Sequence, residues 1–180
     1  MDAGRAKTIG KFIALILRHQ PGELGLSMDG EGWVELEPFC EGMARKFGIA
    51  RVELLELIER DAKSRYRIEG GRIRASQGHS LSVDLGLAPQ EPPAELYHGT
   101  KLSALASILA NGLDKRGRTH VHLSLDVETA RQVAARRKGE SVILAVAASA
   151  MHDGGHAFHL SENGVWLTGH VPPQFISQLI

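Results

Sequence analysis

Cysteine is almost absent from this sequence, whose 180 residues include Cys40 alone. One cysteine excludes an internal disulfide framework, and without a second thiolate the sequence disfavours a cysteine-based zinc site. We expect Cys40 to be a small core residue.

Long apolar runs are missing as well. No stretch approaches the roughly 18 apolar residues that a membrane span requires, and the N-terminal sequence MDAGRAKTIGKF lacks the apolar region of a signal peptide. The composition, 43% hydrophobic and 23% charged, is that of a globular protein with one large domain or two small ones. We therefore expect a cytoplasmic protein without a membrane segment, and nothing in the sequence indicates an obligate protein partner.

Neither sign of charge is in excess, because 21 Lys and Arg residues balance 21 Asp and Glu residues. The local distribution is uneven between Arg60 and His79, where basic residues outnumber acidic ones. The basic residues are Arg60, Lys63, Arg65, Arg67, Arg72 and Arg74, and the acidic ones are Asp61 and Glu69. A local basic patch on a neutral protein favours a site for a few phosphates over a long nucleic-acid groove.

The first 80 residues predict helices followed by a hairpin. Apolar residues from Ile9 to Leu17 follow helical spacing, with Thr8 as the predicted cap and Pro21 as the stop, so Arg18 and His19 fall in the last turn. Further elements are predicted as helices over about 37–47, ending at Gly48, and 51–62, and as strands over 65–68 and 72–75. Three helices before a two-stranded wing are typical of a winged helix.

A boundary is expected after this half, because the stretch 77–95 is rich in glycine and proline and has little periodicity. We predict a lobe over 1–80, a linker over 81–94 and a second lobe over 95–180. The second lobe is predicted to be α+β. Its strands are expected at 96–98, 121–125, 141–147, 157–160 and 165–168, and its helices at 102–110, stopped by Gly112, and from the cap Asp126 to about Lys138.

The predicted hairpin places arginines opposite each other. With Gly70-Gly71 as a two-residue turn, Glu69 faces Arg72, Ile68 faces Ile73 and Arg67 faces Arg74. Alternation then assigns Tyr66, Ile68, Ile73 and Ala75 to the core face, and Arg65, Arg67, Arg72 and Arg74 to the other face. Opposed like charges destabilise a hairpin unless something neutralises them, and a phosphate would do so. A solvated charged face is the alternative interpretation.

Two further patterns carry chemistry. Arg18-His19 at a helix C-terminus is an ordinary cation cluster by itself, and it gains meaning only if the fold brings it near the wing. In the second half, Tyr97-His98-Gly99-Thr100 lies between a strand and a helix, where a small ligand can meet backbone amides. His120 and His122 share one face of a strand, but no HExxH motif or carboxylate cluster accompanies them, so we predict no metal. No Rossmann or P-loop glycine motif is present.

Five blocks of sequence together resemble the RNA 2′-phosphotransferases of the KptA family, in that family's order and over nearly the whole chain. They are FIALILRH at 12–19, IRASQGHS at 73–80, LYHGT at 96–100, HVHLS at 120–124 and GVWLT at 164–168. The resemblance implies an α+β protein with an N-terminal winged-helix lobe and a C-terminal lobe like that of ADP-ribosyltransferases, with the active site in the cleft between them.

The resemblance also implies the site residues. The family's catalytic Arg-His-Arg-Arg tetrad corresponds to Arg18, His19, Arg65 and Arg118. The NAD⁺ residues would be His98, Gly99, Thr100, His120, His122 and Ser124, and RNA or phosphate contacts are expected from Arg67, Arg74, Gln77 and His79. Val165 stands where many ADP-ribosyltransferases have a glutamate, with Glu162 nearby, and Gly169 stands where an acidic residue is expected.

The implied activity is transfer of an internal RNA 2′-phosphate, of the tRNA splice-junction type, to NAD⁺. The implied products are RNA with a free 2′-hydroxyl, ADP-ribose 1″,2″-cyclic phosphate and nicotinamide. Two alternatives stay open: an ADP-ribosyltransferase with another acceptor, and a winged-helix DNA-binding regulator. The second is disfavoured, because the segment 52–60 that would enter the groove carries three glutamates.

Overall fold

Apolar side chains collect in separate cores in the two halves of the chain. The computed structural model describes residues 1–136 and 138–179, and its contacts divide the chain into two units, Met1–Gly86 and Leu87–Ile180. Both units combine helices with antiparallel strands, which confirms the predicted α+β class. Within the described residues, no helix has the length and apolar character needed to cross a membrane.

The first unit packs three helices against a small sheet. Its elements are α1 (Ala3–Arg18), a 3₁₀ turn (Pro21–Leu24), β1 (Val34–Glu35), α2 (Leu36–Phe47), α3 (Arg51–Glu59), β2 (Tyr66–Glu69) and β3 (Arg72–Ala75). The sheet is antiparallel in the order β1-β3-β2. The buried residues of α1 are Ile9, Ile13, Ile16 and Leu17, at the spacing that puts them on one helix face. Cys40 is buried in this core, as predicted.

Several details of this unit differ from the predictions. The cap of α1 is Asp2, whose carboxylate accepts a hydrogen bond from the Arg5 amide at 2.9 Å, so the prediction of Thr8 was wrong. Thr8 is a residue within the helix, and its hydroxyl donates to the Gly4 carbonyl. Strand β1 was missed because two residues are too short for an alternating pattern. Helix α3 ends at Glu59, before the predicted end at Ala62.

The hairpin has the predicted register. Arg67 is opposite Arg74 and Ile68 is opposite Ile73, and Gly70 and Gly71 both have positive φ, at 55° and 76°, as a tight two-residue turn requires. The predicted core face is wrong at Ile68, which is 42% exposed. The reason is that β2 is the edge strand and Ile68 lies near the hairpin tip, whereas its partner on the central strand is buried.

The second unit is built from three small sheets and three helices among the described residues. Its elements are β4 (Leu96–Lys101), α4 (Leu102–Asn111), β5 (Leu113–Asp114), β6 (Val121–Leu123), α5 (Val127–Ala134), β7 (Ser141–Val146), α6 (Ala148–Asp153), β8 (Phe158–Leu160), β9 (Trp166–Thr168), β10 (His170–Val171), a 3₁₀ turn (Pro173–Phe175) and β11 (Ile176–Gln178). The sheet orders are β11-β7-β4, β6-β9-β8 and β10-β5.

The longer elements of this unit match their predictions within a few residues. Asp126 caps α5 as predicted, with its carboxylate 2.7 Å from the Thr129 amide. The helix ends at Ala134 instead of about Lys138, and the predicted extension includes Arg137, which is outside the described residues. The predicted end of the second lobe, Ile180, is also outside them.

Residues 76–95 contain no helix or extended strand, as the glycine and proline content predicted. The segment is nevertheless held by backbone hydrogen bonds. The Asp84 amide donates to the Gly30 carbonyl in the first unit at 2.8 Å, and the Gln90 amide donates to the Phe158 carbonyl in the second unit at 2.8 Å.

Gly99 fixes how closely α5 approaches the central sheet of the second unit. A Cβ atom at this position would lie 1.9 Å from the Ala130 carbonyl oxygen and 2.9 Å from the Ala134 methyl group. Since the nearest obstacle is helix backbone, a side chain would have to push α5 away from β4.

We predict that Gly99→Ala lowers the free energy of unfolding by about 3 kcal/mol, because the added methyl group overpacks the β4–α5 contact. The matched control is Gly169→Ala in the same unit, where an added Cβ meets nothing within 4 Å and the change should stay below about 0.5 kcal/mol. Thermal and urea unfolding of the two variants provides the comparison. Equal stability of the two variants would contradict the packing argument.

Candidate active site

Arg18 and His19 lie where α1 ends. The buried apolar face of α1 fixes the rotation of the helix, and the backbone amide of His19 donates to the Leu15 carbonyl at 2.9 Å to close the last turn. The C-terminal end of a helix carries partial negative charge, so two adjacent cation-forming side chains are stabilised there.

Arg65 is held by Asp61 at the entrance of β2. The Asp61 carboxylate accepts hydrogen bonds from the Arg65 backbone amide at 2.8 Å, from Nε at 3.0 Å and from Nη2 at 2.6 Å. Burial raises the pKa of Asp61, but the hydrogen bonds from Arg65 outweigh burial and leave the pKa below its ordinary value. Asp61 is therefore ionised at neutral pH and is hydrogen-bonded to Arg65.

The segment 76–80, which follows β3, joins these two places. The Ser76 amide donates to the Arg65 carbonyl at 2.8 Å, and the Ser80 amide donates to the Arg18 carbonyl at 3.0 Å. The Ser80 hydroxyl lies 2.9 Å from Nδ1 of His19. Between them, Gly78 packs on the Arg18 side chain, since a Cβ there would be 3.4 Å from the guanidinium carbon. One short segment thus collects Arg18, His19 and Arg65.

Tyr66 lies beside the same arginines, with the Arg65 guanidinium carbon 5.6 Å from its ring centroid. Burial raises the pKa of its hydroxyl, while the positive charges of Arg65 and Arg18 both act to lower it. Two guanidinium groups that influence one phenol lie in the same neighbourhood. The first unit therefore concentrates cations around one place, as an oxyanion such as phosphate requires.

The opposed hairpin arginines are accommodated in different ways. Arg67 forms an ion pair with Glu69, at 2.6 Å. Arg74 is buried, its guanidinium carbon lies 4.5 Å from the ring centroid of Trp33, and it donates to the Glu31 carbonyl at 3.2 Å. A carboxylate and an aromatic face therefore relieve the repulsion that the sequence suggested a phosphate would relieve. Phosphate binding by Arg67 and Arg74 stays a prediction.

In the second unit, Arg118 and His98 both contact His122. Nη1 of Arg118 is 2.8 Å from Nδ1 of His122, which must accept because arginine has only donors. Nδ1 of His98 donates to the His122 carbonyl at 3.0 Å, so the neutral His98 ring keeps Nε2 as an acceptor. These contacts orient three of the predicted site residues.

The remaining predicted residues of this unit border the same strands. Tyr97 and Ser124 exchange two backbone hydrogen bonds of 2.8 and 2.7 Å, which places β4 beside the end of β6. The His120 ring packs edge-on against His159, with 5.9 Å between centroids. Gly99 and Thr100 follow His98 along β4. The structure therefore collects on neighbouring strands the residues that the family resemblance assigned to one pocket.

In the described part of the chain, no three His, Cys, Asp or Glu side chains are placed so that they could hold a metal ion together. The contacts of histidines in the second unit include backbone carbonyls, Arg118, the Thr119 hydroxyl and other rings.

A family model described as "RNA 2'-phosphotransferase, Tpt1 / KptA family" matches residues 4–170. The chain belongs to the RNA 2′-phosphotransferase family. This confirms the resemblance inferred from the five sequence blocks.

Relatives of similar length support the same membership of the RNA 2′-phosphotransferase family. A Rhizobium rhizogenes protein named "Probable RNA 2'-phosphotransferase" is 49% identical over 95% of this chain and 92% of its own length. Proteins with the same name from Streptomyces griseus and Nostoc punctiforme are 45% and 43% identical. These two alignments cover 98% and 99% of this chain, and 98% and 100% of the relatives.

Sequence reasoning missed three residues of the candidate site. They are Asp61, which holds Arg65, and Ser76 and Ser80, which join Arg65 to the end of α1. Asp61 stands four residues before Arg65, but that spacing is informative only where the intervening backbone turns. Ser76 and Ser80 belonged to a quoted block, yet serine has no distinctive charge or spacing to reveal its role.

Three positions singled out near the C-terminus keep their open roles. Glu162 is exposed in the turn between β8 and β9, and Val165 is partly buried just before β9. Gly169 is exposed, with no atom within 4 Å of the place where a Cβ would stand. None of these placements assigns a function.

His79 lies near Arg18, His19 and Arg74 in the first unit and is fully buried. A Cβ on Gly32 would be 3.0 Å from its Nε2 atom, so the ring is tightly packed. Burial and the positive charges of Arg18, His19 and Arg74 lower the pKa of His79 to about 4, against a smaller opposing effect of the Leu17 backbone. The ring is therefore neutral at neutral pH, which keeps one more positive charge out of the cluster. Gln77 is partly buried beside it.

We predict that His79 makes this protein acid-sensitive. Its pKa is about 4 in the folded state and about 6.5 in the unfolded chain, so below pH 6.5 the unfolded state binds the extra proton and stability falls. Between pH 7 and pH 5 the wild type should lose about 2 kcal/mol more than His79→Asn. Urea unfolding at several pH values measures this difference. The pH dependence of the two proteins should coincide between pH 7 and 9, and identical slopes below pH 6.5 would contradict the prediction.

Proposed function

We propose that this chain is an NAD⁺-consuming RNA 2′-phosphotransferase that moves an internal RNA 2′-phosphate, of the kind left at tRNA splice junctions, to ADP-ribose. The observation that carries the proposal is the collection of Arg18, His19 and Arg65 by the segment 76–80 in a member of this family. Several positioned cations at one place suit a phosphate that carries two negative charges.

In this proposal the first unit is a winged-helix lobe that binds the RNA phosphate. Support comes from its element order, helix-strand-helix-helix-strand-strand, with the last two strands forming a hairpin wing. The second unit is proposed to be an ADP-ribosyltransferase-like lobe that binds NAD⁺. Its own support is the orientation of His98, His122 and Arg118 by mutual contacts.

The first proposed step is attack of a 2′-phosphate oxygen on the ribose carbon that carries nicotinamide. The new bond joins this oxygen to C1″, the C1″–N bond breaks, and nicotinamide leaves with the electron pair. The product is RNA whose 2′-phosphate carries ADP-ribose. Because the leaving group is cationic before it departs, this step requires little acid catalysis, and Arg18 and Arg65 act mainly by orienting the phosphate.

The second proposed step is attack of the 2″-hydroxyl on the phosphorus. The bond between phosphorus and the RNA 2′-oxygen breaks, the 2′-oxygen takes a proton, and ADP-ribose 1″,2″-cyclic phosphate is released. Negative charge grows on the phosphoryl oxygens in the transition state, so preorganised arginines contribute most here. We assign to His19 the transfer of the proton from the 2″-hydroxyl to the departing 2′-oxygen.

Two alternatives have less support. In a DNA-binding regulator α3 would meet DNA phosphates, but Glu53, Glu56 and Glu59 on this helix are all exposed, and their charge opposes such docking. An ADP-ribosyltransferase with another acceptor would use the same second unit. It gives no role to the arginines gathered in the first unit.

The deciding experiment incubates the protein with NAD⁺ and an oligoribonucleotide that carries one internal 2′-phosphate, in the presence of EDTA. We expect nicotinamide, RNA with a free 2′-hydroxyl and ADP-ribose 1″,2″-cyclic phosphate, because arginines supply the positive charge that a metal would otherwise provide. The same RNA without its 2′-phosphate is the control. Loss of all turnover on chelation with recovery on adding zinc or magnesium would contradict the metal-free mechanism, and absence of product with and without metals would contradict the function.

We further predict that Arg65→Ala and His19→Ala slow the second step far more than the first. Loss of one preorganised donor to growing charge slows a step by about 10²–10³-fold, whereas the first step loses mainly orientation. RNA bearing ADP-ribose on its 2′-phosphate should therefore accumulate as a slower band on a denaturing gel. Single-turnover reactions at saturating NAD⁺ in which substrate persists without this band would place the two residues in the first step.

A further inference from the structure

We propose that Asp61 is a positioning residue for Arg65, because it holds one edge of the guanidinium group and so directs the opposite end to the RNA 2′-phosphate. The inference rests on the proposed function. It adds a carboxylate to a site in which all the expected residues were cationic or neutral.

The first observation is the geometry of the pair. All three hydrogen bonds to the guanidinium group involve the same edge, from Nε at 3.0 and 3.1 Å and from Nη2 at 2.6 Å. In this side-on arrangement Nη1 and the second N–H of Nη2 lie outside the pairing. One N–H from each of these two nitrogens forms a fork that matches two oxygens of one phosphate.

The second observation is which contacts Arg65 makes. Among the described residues, every hydrogen bond of its side chain goes to Asp61, and 35% of the side chain is exposed. These hydrogen bonds use Nε and Nη2 and leave Nη1 out of the pairing with Asp61. The Asp61 side chain is only 9% exposed, so this carboxylate is shielded from competing solvent on the other side.

The third observation is the conformation of the backbone between Asp61 and Arg65, which favours their pairing. Ser64 has a φ of 43°, a left-handed conformation that is unfavourable for a residue with a side chain. Hydrogen bonds hold it there, from the Ser64 amide to the Asp61 carbonyl at 2.8 Å and from the Ser76 hydroxyl to the Ser64 carbonyl at 3.1 Å. The turn places Arg65 and its carboxylate in a single orientation before any ligand binds.

Because Asp61 is negatively charged, a role in positioning Arg65 can be distinguished from simple electrostatic attraction of RNA. Next to a phosphate site, removing this charge should strengthen electrostatic attraction of RNA. Removing it also frees Arg65 to rotate, which harms the chemical step. A positioning role therefore predicts that Asp61→Asn lowers kcat without raising KM for RNA, whereas general damage to the fold would raise KM or reduce the folded fraction.

The test measures kcat and KM for a 2′-phosphorylated oligonucleotide with wild type, Asp61→Asn and Glu37→Gln. Glu37 is the matched control, since it holds Nε and Nη2 of Arg51 in the same side-on manner at 2.7–3.3 Å, on α2 and α3 of the first unit. We expect Asp61→Asn to lower kcat by about 10- to 100-fold, with KM unchanged or lower and ADP-ribosylated RNA accumulating. Glu37→Gln should retain kcat and KM within about twofold.

A double-mutant cycle completes the test. In an Arg65→Ala background, Asp61→Asn should cause no further loss of kcat, because its effect acts through Arg65. The Nε–H NMR signal of Arg65 in the wild type, absent from Arg65→Ala, should exchange slowly with water and become fast in Asp61→Asn, a readout that does not require turnover. An unchanged kcat for Asp61→Asn, a further loss in the double variant or a fast-exchanging signal in the wild type would overturn the proposal. A wild type that makes no product would instead overturn the proposed function on which it rests.

Discussion

The candidate phosphate site depends on two backbone hydrogen bonds, from Ser76 to the Arg65 carbonyl and from Ser80 to the Arg18 carbonyl. Arg18 lies at the end of a helix and Arg65 directly precedes a strand more than forty residues later, so neither local structure determines their separation. The segment 76–80 determines this separation, because main-chain hydrogen bonds of 2.8 and 3.0 Å at its two ends restrict the positions of Arg65 and Arg18. Gly78, with φ of 93°, allows the chain to pass close to the Arg18 guanidinium group.

A cluster of cations repels itself, and the first unit relieves this repulsion without filling the site. Asp61 compensates Arg65 from one edge, the Trp33 ring covers Arg74, and His79 is kept neutral by burial and by its charged neighbours. Arg18 gains from the negative end of the α1 dipole. Together these contacts reduce the repulsion between the cations of the first unit.

Periodicity and turn chemistry allowed most of the fold to be predicted. The register of the hairpin followed from Gly70-Gly71, and the cap of α5 from Asp126, because both signals are local. The errors at Ile68, β1 and Asp61 came from tertiary context. Ile68 is exposed because it lies near the hairpin tip on the edge strand β2, and β1 forms by pairing with the distant strand β3. Asp61 was counted only as one of two acids in a basic segment, since pairing through a left-handed Ser64 has no sequence signature.

An enzyme of this family would gain from carboxylates beside its arginines. A site with uncompensated cations binds RNA tightly before reaction as well as during it, and equal stabilisation of both states does not accelerate chemistry. A carboxylate that fixes the guanidinium edge reduces the net attraction for the ground state. It also lowers the reorganisation needed when charge grows on phosphorus, because the donors already point toward that charge. In the role that we propose for Asp61, its buried carboxylate and its hydrogen bonds to one edge of Arg65 serve both conditions.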